Sequence, residues 1–254
     1  SGAVSYLYYA DRLYQITLAI AGIAVGTVIL PELSKKIKLN NYKLAQDLQS
    51  RSINLCLFIS LPAAIGLYIA SYDIVNALFG YGSFTETSVK NTSAALKFFA
   101  IGIPAFALLK IFSSFYFARN NTQTPFHLSA IVVVINLVLS IYLFRIIGFI
   151  AIPIATTIST WIIVFAYIFK FVEKDIHKFD NIFFRKIIKM FLSSALMAIF
   201  LIYMISFLAD KLIYDSSLKI LYLFSIVGLS IVVYFLISVL IGSIKFSKKK
   251  SIII

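Results

Sequence analysis

Residues 4–30 read VSYLYYADRLYQITLAIAGIAVGTVIL, and this stretch decides the class of fold. It is long enough to cross a bilayer, because a spanning helix needs about 20 mainly apolar residues. Similar blocks follow, separated by polar, proline-containing or charged breaks, so that the full set lies at about residues 4–30, 52–78, 92–117, 126–144, 146–168, 187–208 and 218–244. Arg145 and Gly148 alone mark the division between the fourth and fifth blocks. The sequence predicts an all-α fold, a polytopic membrane helical bundle of about seven transmembrane helices.

The composition supports a membrane protein. The chain of 254 residues is 61% hydrophobic and only 13% charged, with a mean hydropathy of +0.97. Soluble proteins carry roughly 25% charged residues, so the apolar surplus requires contact with lipid. Cys56 is the one cysteine in the sequence, and this excludes an intramolecular disulfide or a metal site built from cysteines.

The net charge of +13 lies between the apolar blocks. This placement indicates orientation and contact with anionic membrane lipids, and no nucleic-acid partner is expected. The basic residues that mark the expected cytoplasmic side are Lys35, Lys36, Lys38, Lys43, Arg51, Arg119, Lys170, Lys174, Lys178, Arg185, Lys186, Lys189, Lys245, Lys248, Lys249 and Lys250. We therefore expect the N-terminus outside and the C-terminus in the cytoplasm. Since no signal-peptide pattern opens the chain, we also expect it to begin within a longer protein.

Two connections have sequences that allow more than one structure. Residues 72–84 are either a short amphipathic segment at the outer interface or the frayed end of the second spanning helix. Residues 39–51, with Leu44 and Leu48 one turn apart, are either a cytoplasmic interfacial helix or a solvated loop.

Asp11 and Arg12 are the strongest functional signal, because a charge inside a span costs free energy and by default serves a function. Helical spacing gives this segment one polar face of small residues that points away from lipid. The face comprises Tyr8, Arg12, Gln15, Ala19, Gly22 and Gly26. Adjacent residues on a helix do not face each other, so Asp11 and Arg12 form a poor ion pair.

Arg12 is therefore expected to meet an external anion. A guanidinium matches phosphate oxygens bidentately, which predicts a substrate-binding site for a phosphate or pyrophosphate head group. In this interpretation Asp11 and Gln15 shape the polar surroundings of Arg12. The structural alternative is that Asp11 and Arg12 neutralise each other or a neighbouring group.

Glycines and prolines predict packing and kinks. Gly22 and Gly26 form a GxxxG motif for close helix packing. Pro31 is expected to end the first helix at the cytoplasmic face. Pro62 and Pro104 lie inside later blocks, where each leaves a backbone carbonyl without its usual partner.

Polar residues in the fourth and fifth blocks have two interpretations. Asn136 and Ser140 share a helical face, and Thr156 adds a hydroxyl in the next block. They predict hydrogen bonds between the two helices, or oxygen ligands for a sodium ion. His127 and His177 lack the spacing of metal ligands, so no firm metal site is predicted.

The chain contains no HExxH, GxSxG, P-loop or GxGxxG pattern. A metal hydrolase, a serine acyl transferase or an ATP-driven pump is therefore not supported, and we do not expect an enzyme.

Ordered polar landmarks resemble one family. The run from Val4 to Leu13 resembles the MurJ/MviN lipid II flippases of the MOP transporter superfamily. The resemblance continues through GIAVGT at 22–27, LPELS at 30–34, LPAA at 61–64, FGYGSF at 79–84, FYFAR at 115–119 and TQTP at 122–125. It covers nearly the whole chain.

The resemblance implies a place and a role. Family members have fourteen helices, and the match implies helices eight to fourteen, with an N-terminal lobe outside this chain. Residues 1–170 would then form a partial transport lobe, and residues 171–254 two further helices with a groove for a lipid tail. The implied activity is movement of the undecaprenyl-pyrophosphate-linked peptidoglycan precursor across the bacterial inner membrane by alternating access, in the service of cell wall biogenesis and cell shape.

The resemblance also implies roles for single residues. Arg12 falls on a cavity arginine that meets the head group. Asn136, Ser140 and Thr156 fall near a sodium site that some members use, with Ser140 in place of a carboxylate. The resemblance implies no cofactor. It does imply that transport is coupled to sodium or to the membrane potential.

Other functions stay open on the sequence alone. A second possibility is another exporter of the same superfamily, for a drug or a polyprenyl-linked saccharide. A third is an inactive or accessory membrane fragment that lacks the first lobe. A membrane-bound enzyme has the least support, because no catalytic constellation is visible.

Overall fold

The computed structural model describes residues 2–19, 24–174, 176–177, 179–214, 216, 218–243, 245–246 and 252–253. The helices within these residues are α1 (Ala3–Leu18), α2 (Ala24–Lys38), α3 (Tyr42–Ile69), α4 (Ser71–Phe79), α5 (Glu86–Phe117), α6 (Gln123–Ile147), α7 (Ala151–Glu173), α8 (Asn181–Phe207) and α9 (Lys219–Ile241). Two-residue strands, Lys245–Phe246 and Ile252–Ile253, pair antiparallel in the tail. The all-α class is confirmed.

Five stretches of the described residues are long and apolar enough to cross a membrane. They are Tyr42–Ile69, Glu86–Phe117, Gln123–Glu173, Asn181–Phe207 and Lys219–Ile241. The longest of these comprises α6 and α7, which separate at Gly148, where φ is 65°. The expected division between the fourth and fifth blocks is therefore correct, because glycine adopts this backbone conformation readily.

The end of the first apolar block differs from the expectation. It contains α1 and α2 on either side of residues 20–23, which lie outside the described residues. Pro31 does not end the helix, since it lies inside α2, which continues to Lys38. Proline has a φ compatible with a helix and removes a single hydrogen bond. Lysines in the last turn then favour continuation, because they complement the helix dipole.

The two ambiguous connections are helical. Residues 42–51 are the first turns of α3, so they are neither a separate interfacial helix nor a solvated loop. The side chain of Asn41 caps α3 by accepting from Leu44 N at 3.3 Å. Residues 71–79 form α4, a helix separate from α3, so the frayed-end interpretation is wrong. A bend at Ala70 separates the two helices.

Helix α5 is the centre of the bundle, with α1, α3, α4 and α7 packed around it. An aromatic cluster joins α5 to α7 and consists of Phe112, Phe115, Tyr116, Tyr167 and Phe171. Helix α8 packs on α3, and α9 packs on α8 and α4. Cys56 is buried as a free thiol in α3. This arrangement leaves one face of α1 and most of α6 outside the packed core.

Candidate functional site

The polar face of α1 lies away from the packed core. Its opposite face buries Ala10 and Leu13, and the ring of Tyr14 stacks on Phe99 of α5 at 4.8 Å. Arg12 and Gln15 are exposed on the polar face. Because the apolar face of α1 packs against α5, the polar face with Arg12 and Gln15 is directed away from the core.

The three predicted binding residues lie together but do not form an ion pair. The guanidinium of Arg12 lies 4.8 Å from the ring centre of Tyr8, one turn earlier. The amide Nε2 of Gln15 donates instead to the Asp11 carboxylate. Among the described residues, the ion pair found within 4.0 Å joins Lys90 to Glu86, and Arg12 forms none. The Asp11 carboxylate is thus hydrogen-bonded by Gln15, and the exposed Arg12 side chain lies over the ring of Tyr8.

The predicted packing motif is described in part. Gly22 lies outside the described residues, and Gly26 lies in α2 without a description of its surroundings. Ala19, further along the same polar face, is exposed.

An apolar cleft of about 420 Å³ opens between α1, α3, α8 and α9. Thr17 contributes from α1, and Tyr234 contributes from α9. The other lining residues include Phe58, Ile59, Pro62, Ala63, Gly66, Met197, Leu201, Val227, Ser230 and Ile231. This cleft therefore connects the helix that carries Arg12 to the last two helices. We call it the apolar cleft below.

The wall of the apolar cleft contains a hydrogen bond that follows from a proline. Pro62 has no N–H, so it cannot bond the carbonyl of Phe58 one turn earlier. The hydroxyl of Tyr234 donates to this carbonyl at 2.8 Å. A polar bond thereby joins α9 to α3 inside an otherwise apolar cleft.

A larger cleft of about 690 Å³ lies between α5 and the start of α6. Lys110 lines it together with Thr122 and Gln123, and Phe117 and Phe126 supply apolar surface. The sequence prediction missed Lys110, although a basic residue inside an apolar block is itself a signal.

The polar residues of α6 and α7 come together as predicted. Asn136 Nδ2 donates to Thr156 Oγ1 at 2.9 Å, and Ser140 Oγ donates to Asn136 Oδ1 at 3.4 Å. The first of these hydrogen bonds joins α6 to α7, and the second lies within α6. No cluster of three or more His, Cys, Asp or Glu side chains that could hold a metal occurs in the described part of the chain. A sodium site at these residues stays a prediction.

The two histidines are in different environments. His127 is exposed near the start of α6, whereas His177 is buried in the connection between α7 and α8. The Nε2 atom of His177 lies 3.5 Å from Ser50 Oγ. The pKa of His177 is lowered to about 4, mainly because the side chain is buried; the charge of Asp180 opposes this shift and the charge of Arg119 adds to it.

Lys219 is a second basic residue that the sequence did not single out. It begins α9 and is 1% exposed. Its burial results from contacts with residues far away in the sequence, which no local pattern reveals.

Comparison with known proteins gives a consistent result. The family model described as "Lipid II flippase MurJ" matches residues 1–242. A probable lipid II flippase MurJ of Rhizobium tropici is 41% identical over 58% of this chain and 28% of its own length. The corresponding protein of Vibrio cholerae is 28% identical over 95% of this chain and 46% of its own length.

A solved structure also matches. It is the lipid II flippase MurJ in an inward closed conformation, with a TM-score of 0.78 and 27% identity over 94% of this chain and 47% of that one. The chain spans less than half the length of each of these relatives. The match of the family model over nearly all of its residues shows that this chain belongs to the lipid II flippase MurJ family.

Proposed function

We propose that this chain is the C-terminal part of a flippase that moves lipid II, the undecaprenyl-pyrophosphate-linked peptidoglycan precursor, across the bacterial inner membrane by alternating access. The observation that carries the proposal is the Arg12 side chain. It is exposed on a polar helix face while the neighbouring carboxylate of Asp11 is hydrogen-bonded by Gln15. A guanidinium in this position supplies two parallel N–H donors for phosphate oxygens.

The head group would bind at Arg12, with Asp11 and Gln15 shaping the polar surface. Pyrophosphate carries several anionic oxygens, and a bidentate guanidinium fixes both their position and orientation. Tyr8 supports the side chain of Arg12 through its ring. Binding of substrate would therefore need little rearrangement of this face.

The prenyl tail would lie in the apolar cleft. Thr17 of α1 lines this cleft and lies five residues beyond Arg12, about 7.5 Å along the helix axis. The head group and the first part of the tail would then contact different faces of the same helix. The wall formed by α8 and α9 supplies apolar contact for the rest of the tail.

The membrane topology that we propose has seven spans. Helices α1 and α2 together form the first, and α3, α5, α6, α7, α8 and α9 form the others. Charge asymmetry places the N-terminal end of α1 outside and the C-terminus in the cytoplasm. Residues 1–170 form the part of the transport lobe that faces an N-terminal lobe, and residues 171–254 form the lipid-tail unit.

Coupling to sodium or to the membrane potential is part of the proposal. Asn136, Ser140 and Thr156 offer hydroxyl and amide oxygens between α6 and α7. A sodium ion needs several such oxygens, and further ligands would come from the other lobe.

The test uses Arg12 variants of the complete gene product in cells depleted of their own flippase. We expect Arg12→Ala to abolish translocation, because no donor remains for the pyrophosphate. We expect Arg12→Lys to translocate at least about tenfold more slowly than wild type, because a point charge cannot replace the bidentate contact. The measurement is cleavage of lipid II by an enzyme that reaches only the outer face.

The matched control is Arg145→Ala, which removes an exposed arginine from the end of α6. Membrane insertion of each variant is measured by the amount of protein in the membrane fraction. Normal translocation by correctly inserted Arg12→Ala would overturn the proposed function.

A second candidate is an accessory or inactive membrane fragment. Sequencing the coding region before Ser1 distinguishes the two, since a flippase needs matching helices there or on a separate chain. An exporter of drugs or other saccharides is distinguished by competition. Lipid II should displace a bound pyrophosphate lipid, and a cationic drug should not.

A further inference from the structure

Lys219 is a charged side chain buried at the start of α9. It is 1% exposed, and an ammonium group in such a place requires close acceptors, because desolvation of a charge is costly. Its Nζ atom donates to Tyr214 O at 2.6 Å, to Gly80 O at 2.8 Å and to Asn76 Oδ1 at 3.1 Å. Three donors of the ammonium thus meet three oxygen acceptors.

Two aromatic rings also lie close to the ammonium. Lys219 Nζ lies 4.1 Å from the ring centre of Tyr81 and 4.9 Å from that of Tyr214. A cation over an aromatic face is stabilised electrostatically, and more so when water is excluded. We call Asn76, Gly80, Tyr81, Tyr214 and Lys219 the lysine cage.

The lysine cage fixes the connection between α8 and α9 on α4. Asn76 uses its other amide atom to donate to Leu212 O at 2.9 Å. The hydroxyl of Tyr214 donates to Phe84 O at 2.8 Å. One group of polar contacts therefore joins the connection between α8 and α9 and the start of α9 to α4 and the turn that follows it.

Gly80 has a steric role in the lysine cage. A Cβ atom at this position would lie 2.5 Å from both the backbone oxygen and the side-chain Oδ1 of Asn76. Such a distance is too short for any real contact, so a larger residue would displace Asn76.

The apolar cleft adjoins the lysine cage. Ile74 of α4 lines the cleft, as do Val227 and Tyr234 of α9. Helix α9 is thus held at Lys219 and again at Tyr234, fifteen residues or about 22 Å further along its axis. Most of the α9 residues that line the cleft lie between these two attachments.

We propose that Lys219 is a positioning residue that sets the separation of α9 from α3 and thereby the width of the apolar cleft for a long prenyl tail. This inference rests on the proposed function for the identity of the tail. It follows from the geometry that loss of the ammonium releases one attachment of α9 and leaves the head-group face of α1 intact.

The first measurement is the distance between α3 and α9. Spin labels are placed at Tyr68→Cys and Leu221→Cys, both exposed positions, in a Cys56→Ser background of the complete gene product. We expect Lys219→Met to give a longer and broader distance distribution than wild type. Lys211→Met, at an exposed lysine of the same connection, is the matched control and should leave the distribution unchanged.

The second measurement is the affinity for two pyrophosphate lipids, undecaprenyl pyrophosphate and geranyl pyrophosphate. We expect Lys219→Met to weaken binding of the long lipid about tenfold and to leave the short lipid unaffected. Arg12→Ala should weaken both. A purely structural role of Lys219 would reduce binding of both lipids in parallel with the amount of folded protein.

Two milder variants keep the test decisive if Lys219→Met does not fold. Tyr81→Leu removes one ring of the lysine cage, and Gly80→Ala displaces Asn76. Each variant should increase the distance between α3 and α9 and weaken binding of the long lipid relative to the short one, as expected for Lys219→Met. Unchanged distances and an unchanged ratio of the two affinities in the folded variants would overturn the inference. A wild type that binds neither lipid overturns the proposed function, whereas the spin-label distance still decides whether Lys219 sets the cleft.

Discussion

Arg12 and Lys219 are both basic residues in apolar helices, but their charged groups lie in different environments. Arg12 is exposed, contacts the ring of Tyr8, and has its neighbouring carboxylate occupied by Gln15. Lys219 is buried among oxygen acceptors and aromatic rings. A charge surrounded by protein groups contributes to the fold, whereas an exposed charge on a polar face can meet a ligand. The surroundings of a charge, more than its position in a helix, therefore indicate its role.

Removing a partner from the lysine cage should have the largest effect on stability. Asn76→Leu removes two buried hydrogen bonds. Lys219 loses an acceptor, and the carbonyl of Leu212 loses a donor. We expect a loss of about 2 to 3 kcal/mol in the free energy of unfolding, because buried polar groups are left unsatisfied. Thermal unfolding in detergent measures it.

Asn181→Leu is the control for this variant, since Asn181 is exposed at the start of α8. An equal loss in the two variants would contradict the role given to the lysine cage.

His177 extends the comparison to a buried base with fewer acceptors. Its pKa is about 4 when folded and about 6.5 when unfolded, so the folded state binds fewer protons between these values. The contribution of neutral His177 to the free energy of unfolding is therefore fully present above pH 6.5. It decreases as the pH falls towards 4, and we expect a loss of about 2 kcal/mol at pH 5. Hydrogen exchange in the connection between α7 and α8 measures this loss.

His177→Gln should abolish the pH dependence, because glutamine does not titrate in this range. His127→Gln, at an exposed histidine, should preserve it. A pH dependence that survives His177→Gln would assign it to another group.

Crowding the lysine cage should have a smaller effect. We expect Gly80→Ala to cost about 1 to 2 kcal/mol, because the new Cβ atom displaces Asn76. Gly228→Ala in α9 is a matched control, since no atom outside the adjacent backbone of α9 lies within 4 Å of its Cβ position. Alanine favours a helix by up to about 1 kcal/mol over glycine, so the control should be neutral or stabilising. The difference between their thermal midpoints tests the steric argument.

Removing the exposed charge should have the smallest effect on the fold. We expect Arg12→Gln to change the free energy of unfolding by less than about 0.5 kcal/mol, as is usual for exposed positions. Chemical unfolding in detergent provides the measurement. A loss comparable to that of Asn76→Leu would show that Arg12 is also part of the fold.

Local patterns in the sequence predicted much of the fold and of the α1 face. Long apolar blocks predicted the helices, Gly148 predicted the break between α6 and α7, and adjacency predicted that Asp11 and Arg12 would not pair. These features depend on neighbouring residues, so the sequence contains the necessary information.

Other features depend on contacts between distant residues. Lys219 and Asn76 are 143 positions apart, and only the folded chain brings them together. The start of α3 at Tyr42 was missed for a different reason, because a helix can continue beyond its apolar segment with polar residues. Lys110 was overlooked because its significance depends on the cleft that it lines.

The bond between Tyr234 and the carbonyl of Phe58 makes two distant positions dependent on each other. A chain with alanine in place of Pro62 would restore the ordinary backbone bond of α3, and the hydroxyl of Tyr234, 176 positions after Phe58, would then share its acceptor with a backbone N–H. The Phe58 carbonyl would then no longer depend on the Tyr234 hydroxyl for its hydrogen bond. We therefore expect proline at position 62 and tyrosine at position 234 to occur together among related sequences.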